Sequence, residues 1–485
     1  MARTFGLPLF VAAWLVACGP QQRSASPALP SARSPDNTLR QVPLGLCEDY
    51  PEETRTLDEA RRDFAVLRAA GVGVLRVSIG WDGVEPEKDH YDLAFWDAFV
   101  ELAAEARITL IPYVAYTPRW NSDGGAEDYW KTPPRDLAEF GELMQLLATR
   151  YRGRIHSWEI WNEPDNRDYW LGTAAQYGAL LKTGAAAVHA ADPALEVVFG
   201  GLAGGVPFLR QLFEEQQAAD SVDVVNLHSY YETWNPNPLE TLPSYVDEVS
   251  AVIARHGRRQ PIWMAEVGYS DWRPAATRAF ALRYGYEHSA EFQAVMLVRT
   301  LALLFAKPAV SLVAWYELKD PRATAAMIGD DNNRHLGVMT ESYRPKPAFD
   351  ALSLMSRLFR AGFRPADAEL HVLPTLGSEL ELHGFLTADR ELVLIAWLRT
   401  RSLTPTQAPP PPAPNGDETM LVDTRHEHVQ LTALHPTRSA PVWFDQRGRR
   451  LGAGLKARPL AGRTELTFDL SGGEVRIIEL PIALP

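Results

Sequence analysis

Between about residues 42 and 360, short runs rich in β-branched and aromatic residues alternate with longer stretches of helical spacing, and no other feature constrains the fold as tightly. The runs are Val42–Cys47, Val74–Trp81, Ile108–Tyr116, Ser157–Asn162, Glu196–Gly201, Val222–Tyr230, Pro261–Gly268 and Ser311–Glu317. The helical stretches fall near 58–70, 93–106, 136–151, 173–190, 206–219, 243–256, 287–306 and 347–360. Such alternation is the mark of βα units and a parallel sheet. Eight repeats in roughly 320 residues match a (β/α)8 TIM barrel, here over 42–362, better than an open sheet. Several runs are apolar almost throughout, as strands covered by helices must be. A doubly wound sheet would set a Gly-rich phosphate loop after an early strand. The first run is followed instead by Glu48-Asp49-Tyr50-Pro51.

From about residue 363 the helical spacing stops. Glu379–Leu386, Glu391–Arg399, Met420–Asp423, His428–Leu434, Pro441–Asp445, Thr464–Leu470 and Glu474–Leu480 are short runs of alternating character, which predicts a C-terminal antiparallel β-sandwich over 363–485. Pro405–Gly416, PTQAPPPPAPNG, reads as an exposed polyproline-like loop. At 46% hydrophobic and 22% charged residues the chain is globular in composition. Its net charge of −13 argues against a nucleic-acid partner, which needs a basic face.

The first residues carry a different signal. Arg3 precedes an apolar run from Phe5 to Ala17, too short to span a bilayer and shaped like an export signal. Its ending, Leu15-Val16-Ala17-Cys18, resembles the bacterial lipobox. That resemblance implies a signal peptide over 1–18, cleavage before Cys18 and lipidation of its thiol. Gly19 stands where inner-membrane lipoproteins usually carry Asp, so the implied place is the cell envelope, at the outer membrane. Residues 19–41, rich in Ser, Pro, Ala and Gln, read as a flexible tether. With Cys18 lipidated, Cys47 has no partner for an intrachain disulfide and reads as a small buried residue.

Barrel chemistry sits at the carboxyl ends of strands. The fourth run ends in WEIWNEPDN. Alone, Asn162-Glu163-Pro164 fits a strand stopping at a turn just as well. The seventh run, IWMAEVGYS, supplies Glu266. A carboxylate that follows an apolar stretch is costly unless paired, and strands four and seven face one another across a barrel mouth. Two carboxyls across one pocket are what glycosidic cleavage requires, one protonated to release the leaving oxygen and one ionised to attack carbon. The other strand ends fit supporting roles. Arg76 is expected to hold Glu266 ionised, and Tyr230 to orient the same carboxylate. Asn162 is expected to bond a sugar hydroxyl, His228 to bond or tune Glu163, and Trp315 to floor the sugar subsite. Tyr116 and Trp120 are further substrate-binding candidates, while Glu159 and Glu317 read as salt-bridge or supporting groups. No metal or cofactor is called for.

Asn162-Glu163-Pro164 on the fourth strand, Glu266 on the seventh, His228-Ser229-Tyr230 on the sixth and Trp315 on the eighth resemble the clan A glycoside hydrolases. The resemblance implies a configuration-retaining (β/α)8 enzyme with Glu163 as acid/base and Glu266 as nucleophile. Arg76, Asn162, His228, Tyr230 and Trp315 match recurrent pocket residues of the clan. Family 5 members usually place a His on the third strand, where PYVAYTPRW carries Tyr. The Tyr-Thr-Pro-x-Trp pattern, the WYELKDP stretch and HLGVMTESYRPKPAFDAL are more similar to family 39, whose barrel is also followed by a sandwich. The implied substrate is an oligo- or polysaccharide with a β-D or equivalent α-L bond. Two other readings share these residues: an inactive carbohydrate-binding envelope protein on the same barrel, and a transglycosylase that remodels envelope polysaccharide.

Overall fold

A computed structural model describes residues 38–50, 56–256, 258–272, 288–322, 328–372, 379–399, 423 and 425–483. Cys18, most of the 19–41 tether and the Pro405–Gly416 loop lie outside them. Asp423 is the sole described residue of the expected strand Met420–Asp423. Folded structure starts a little before Val42. Arg40 pairs with Phe363 across an isolated bridge, and its guanidinium donates to the carbonyls of Phe305 and Lys307 at 2.6 and 3.0 Å.

Eight parallel strands form the first sheet: β1 (Leu44–Cys47), β2 (Val74–Gly80), β3 (Thr109–Ala115), β4 (Ser157–Ile160), β5 (Glu196–Phe199), β6 (Val225–Ser229), β7 (Ile262–Val267) and β8 (Val310–Trp315). Their order is β5-β4-β3-β2-β1-β8-β7-β6. Bridges from Val198 to Val224 and from Leu202 to Leu227 join β5 to β6 and close the barrel. A helix follows each strand, from Leu57–Ala70 after β1 to Pro347–Phe359 after β8. The first begins with a reciprocal cap, in which Thr56 Oγ1 accepts from the Glu59 N–H and the Glu59 carboxylate accepts from the Thr56 N–H.

The period-two alternation of a strand sorts side chains between the barrel interior and the helical layer. On β2, Leu75, Val77 and Ile79 pack outward in the main core. On β4, Trp158 and Ile160 do the same, leaving Glu159 to point inward. β7 breaks the alternation. Its register with β8 shifts between Met264 and Val267, and the irregularity lets Ala265 face the interior while its neighbour Glu266 also reaches the barrel mouth.

Among the described residues, nine further strands build the sandwich. The five-stranded sheet runs β14 (Val442–Phe444), β17 (Val475–Pro481), β12 (Glu391–Leu398), β11 (Leu380–Thr387), β9 (Phe363–Pro365). The four-stranded sheet runs β10 (Leu370–Val372), β13 (His426–Ala433), β16 (Arg463–Ser471), β15 (Lys456–Leu460). All pair antiparallel. β12 is buried on both faces. Leu392, Leu394, Ala396 and Leu398 enter the sandwich core, while Val393, Ile395 and Trp397 join the barrel's core. The helix Ala290–Phe305 is correspondingly buried along nearly its whole length, Gln293, Arg299 and Thr300 included. Barrel and sandwich thus belong to one compact unit, Leu39–Pro485.

Candidate active site

The carboxyl ends of the barrel strands open into a cleft of about 1150 Å³. β4 delivers the first carboxyl. Its ladder stops at Ile160, and Trp161 (φ 73°) and Glu163 (φ 44°) both take left-handed backbone that non-glycine residues avoid. Such conformations persist where the surroundings over-determine them, and here they turn Asn162 and Glu163 into the cleft. The Glu163 N–H donates to the carbonyl of Gly200 at 2.6 Å, which ties the turn to the end of β5.

Glu163 is 6% exposed. Its carboxyl meets neutral groups: His228 Nδ1 lies 2.9 Å from Oε1, and Asn166 Nδ2 donates to Oε2 at 2.7 Å. Burial pushes its pKa up to about 7, with the Asn166 bond and Arg76 opposing. Glu266 is buried as well but sits beside a cation. Arg76 Nη1 donates to its Oε2 at 2.8 Å and the Tyr230 hydroxyl to its Oε1 at 2.5 Å. Burial raises the Glu266 pKa too, while His228, Arg76 and Tyr230 oppose the rise. Burial also depresses the His228 pKa, to about 4, so at neutral pH the ring is uncharged and Arg76 is the cation that favours ionised Glu266. Of the two carboxyls, Glu163 is the one suited to keep a proton.

One oxygen from each carboxyl and one His228 nitrogen lie within 4.8 Å of one another. The trio is compact enough to surround a cation. The Arg76 guanidinium already stands 2.8 Å from Glu266, however, and would repel a second cation there, so the trio suits proton transfer better.

Arg76 is the hub beneath the pair. Its Nε and Nη2 grip Glu159, each at 2.9 Å, and Nη2 also donates to Asn162 Oδ1 at 2.7 Å. That contact fixes the Asn162 amide and leaves its Nδ2 as the donor presented to the cleft. The guanidinium lies over the Tyr113 ring, 4.4 Å from its centroid. Asp49 completes this wall, accepting from the hydroxyls of Tyr113 and Tyr316 at 3.1 and 3.2 Å.

The structure brings together Glu163, Glu266, Arg76, Asn162, His228 and Tyr230, and Tyr116 lines the cleft beside them. Two expected residues stand elsewhere. Trp315 is 2% exposed and packs in the outward core, because the alternation along β8 puts its neighbour Tyr316 on the cleft side. Trp120 packs edge-on against Trp81 and donates its indole N–H to the carbonyl of Glu85. Trp130 lines the cleft instead, edge-on to Tyr116 at 5.3 Å. The sequence assigns no role to Asn166, Asn226, Asp49 or Tyr316. Asn166 was the most accessible of them, three residues beyond Glu163 on a turn, where side chains bond back onto the preceding residues.

A sequence profile of the family "Glycosyl hydrolases family 39" matches residues 39–408. A β-xylosidase from Caldicellulosiruptor saccharolyticus is 24% identical over 247 residues, covering 47% of this chain and 48% of that protein, so the match spans about half of the relative's length. Among solved structures, a family 39 glycoside hydrolase from Bacteroides cellulosilyticus superposes with a TM-score of 0.64 at 17% identity, over 91% of this chain and 81% of that one. A monomeric β-xylosidase from Caulobacter crescentus superposes with a TM-score of 0.62 at 16% identity, over 91% and 96%. At these identities the superpositions speak for the fold.

Proposed function

The chain belongs to glycosyl hydrolase family 39, and from that premise we propose that it hydrolyses O-glycosidic bonds with retention of configuration, Glu266 acting as nucleophile and Glu163 as acid/base. Glu266 attacks the anomeric carbon while Glu163 gives its proton to the leaving oxygen. Bond breaking and proton delivery together yield a glycosyl ester on Glu266 and a free alcohol. Glu163, now ionised, takes a proton from water, which attacks the same carbon and frees the sugar with its original anomeric configuration.

The observation that carries this reading is the separation of the two carboxyls. Their nearest oxygens lie within 4.8 Å. Retaining enzymes hold their carboxyls about 5–5.5 Å apart, whereas inverting ones need roughly 6.5–9.5 Å to admit a water. The unlike surroundings support the same division of labour: a guanidinium on Glu266, neutral donors on Glu163. The cleft exceeds what one sugar ring needs, which favours an oligo- or polysaccharide. β-Xylosides are the first substrates to try, since two similar proteins bear that activity in their names. Proton NMR of the first-formed sugar tests the mechanism. The β-anomer should appear first from a β-glycoside, and initial release of the α-anomer would exclude it. Lipid attachment at Cys18 is part of the same proposal, on the Leu15–Cys18 pattern. Incorporation of labelled palmitate that is lost in Cys18→Ala is the expected result.

A further inference from the structure

We infer that Asn226 is a positioning residue, whose side-chain amide locks His228 as its Nδ1–H tautomer so that the ring donates to Glu163 and cannot take the acid proton from it. The role rests on the reading of Glu163 as acid/base.

Asn226 is fully buried on β6, and the orientation of its amide is fixed from two sides. The backbone N–H of Ala265 donates to Oδ1 at 2.9 Å. Nδ2 donates to Glu159 Oε1 at 3.0 Å, and Glu159 is itself clamped by Arg76. Turned over, the amide would set its oxygen against a carboxylate and its NH2 against an N–H, exchanging two bonds for two repulsions. The remaining Nδ2 hydrogen serves His228 Nε2, 3.2 Å away. A ring nitrogen that accepts does not carry the proton, so in the neutral ring the proton sits on Nδ1. Nδ1 lies 2.9 Å from Glu163 Oε1 and 3.4 Å from Glu266 Oε2.

The opposite tautomer would turn a lone pair toward Glu163. The ring could then accept the acid proton and hold it as imidazolium, leaving nothing to protonate the leaving oxygen. The charged groups facing the ring are Glu163 and Glu266 at its Nδ1 edge, with Glu159 and Arg76 behind. Arg76 opposes a second positive charge, and protonation of Nε2 would bring two donors face to face. Gly201 lets the ring take this place. Its φ is +67°, and a Cβ built there would stand 2.1 Å from His228 Nε2.

Nitrogen NMR of the full-length protein at neutral pH reads the tautomer without any need for turnover. His228 should show a protonated Nδ1 and an unprotonated Nε2. An Nε2–H or imidazolium signature overturns the inference, whether or not the protein cleaves glycosides. Asn226→Asp replaces the donor with an acceptor and should charge the ring. The alkaline limb of kcat/KM for poor leaving groups should then move down by about one pH unit, since a cation beside Glu163 favours its ionised form. Activated aryl glycosides, whose departure needs no acid, should keep kcat/KM within about threefold of wild type. Asn226→Ala, which frees Nε2, should mix the tautomers and move the limb in the same direction if the Asp variant does not fold. A redistributed ring proton with an unmoved limb would contradict the positioning role. Inactivity of the wild type on every glycoside would defeat the proposed function and leave the tautomer measurement standing.

Discussion

At the scale of single residues the site is a contrast between two glutamates in equal burial. Glu163 faces neutral donors and Glu266 faces a guanidinium, and that difference assigns the proton. With the Glu163 pKa near 7, activity on poor leaving groups should fall as pH rises through about 7, because the acid form disappears. Glu163→Gln should abolish that limb and lower kcat/KM on poor leaving groups about 10²–10⁴-fold while sparing kcat/KM on activated ones, measured on paired aryl glycosides. An unchanged limb in this variant would assign the proton elsewhere. Glu163, Glu266, His228 and Tyr230 were legible in the sequence because each is a polar side chain near the end of an apolar run, and Arg76 because it is a cation inside one. The role of Asn226 is not legible in the sixth run, because it depends on Glu159 and Ala265 from two other strands. Tyr316 was hidden behind Trp315, because which of two adjacent aromatics faces inward depends on the phase of β8.

At the scale of elements, the eight strand–helix units could be read from the alternation, and the strand ends were overrun. The expected fourth strand reached Asn162 and the eighth Glu317, whereas the ladders stop at Ile160 and Trp315. Beyond those points the chain leaves the sheet to build the site, a departure that the same apolar residue types do not signal. The irregularity in β7 that brings Glu266 to the mouth is equally silent in sequence. In the sandwich, β9, β10 and β15 were missed, two of them being three residues long and the third an exposed edge. The β5–β6 junction offers a test at this scale. Gly201→Ala would need a left-handed alanine and a Cβ inside the His228 ring. It should cost about 1–3 kcal/mol of stability and displace the imidazole from Glu163. Thermal melting and kcat on poor leaving groups read the two effects, and a variant with wild-type melting and activity would contradict the packing described for Gly201.

At the scale of the molecule, the sandwich reaches the site through shared packing. Its strand β12 puts Trp397 into the barrel's core, where the indole N–H donates to Glu240 Oε1 at 2.9 Å. Glu240 lies on the loop between β6 and the helix Leu242–Arg255, and that loop also carries Tyr231, Trp234, Asn235 and Asn237 of the cleft. Trp397→Phe removes the donor from a half-buried carboxylate. A loss of about 1–3 kcal/mol in denaturant unfolding is expected, together with a higher KM at near-normal kcat. A change in stability with KM untouched would show that the sandwich only buttresses the barrel. The sandwich itself was legible from the alternating runs after residue 363. Its role was not, because β12 looks the same in sequence whether one face or both are covered.

The central claim is that Glu266 forms the covalent intermediate. A 2-deoxy-2-fluoro glycoside with an activated leaving group slows release of that intermediate and allows the labelled peptide to be sequenced by mass spectrometry. The label should appear on Glu266 at one equivalent per chain, and Glu163→Gln should still accept it. Labelling of Glu163, or steady turnover without any labelled peptide, would contradict the assignment.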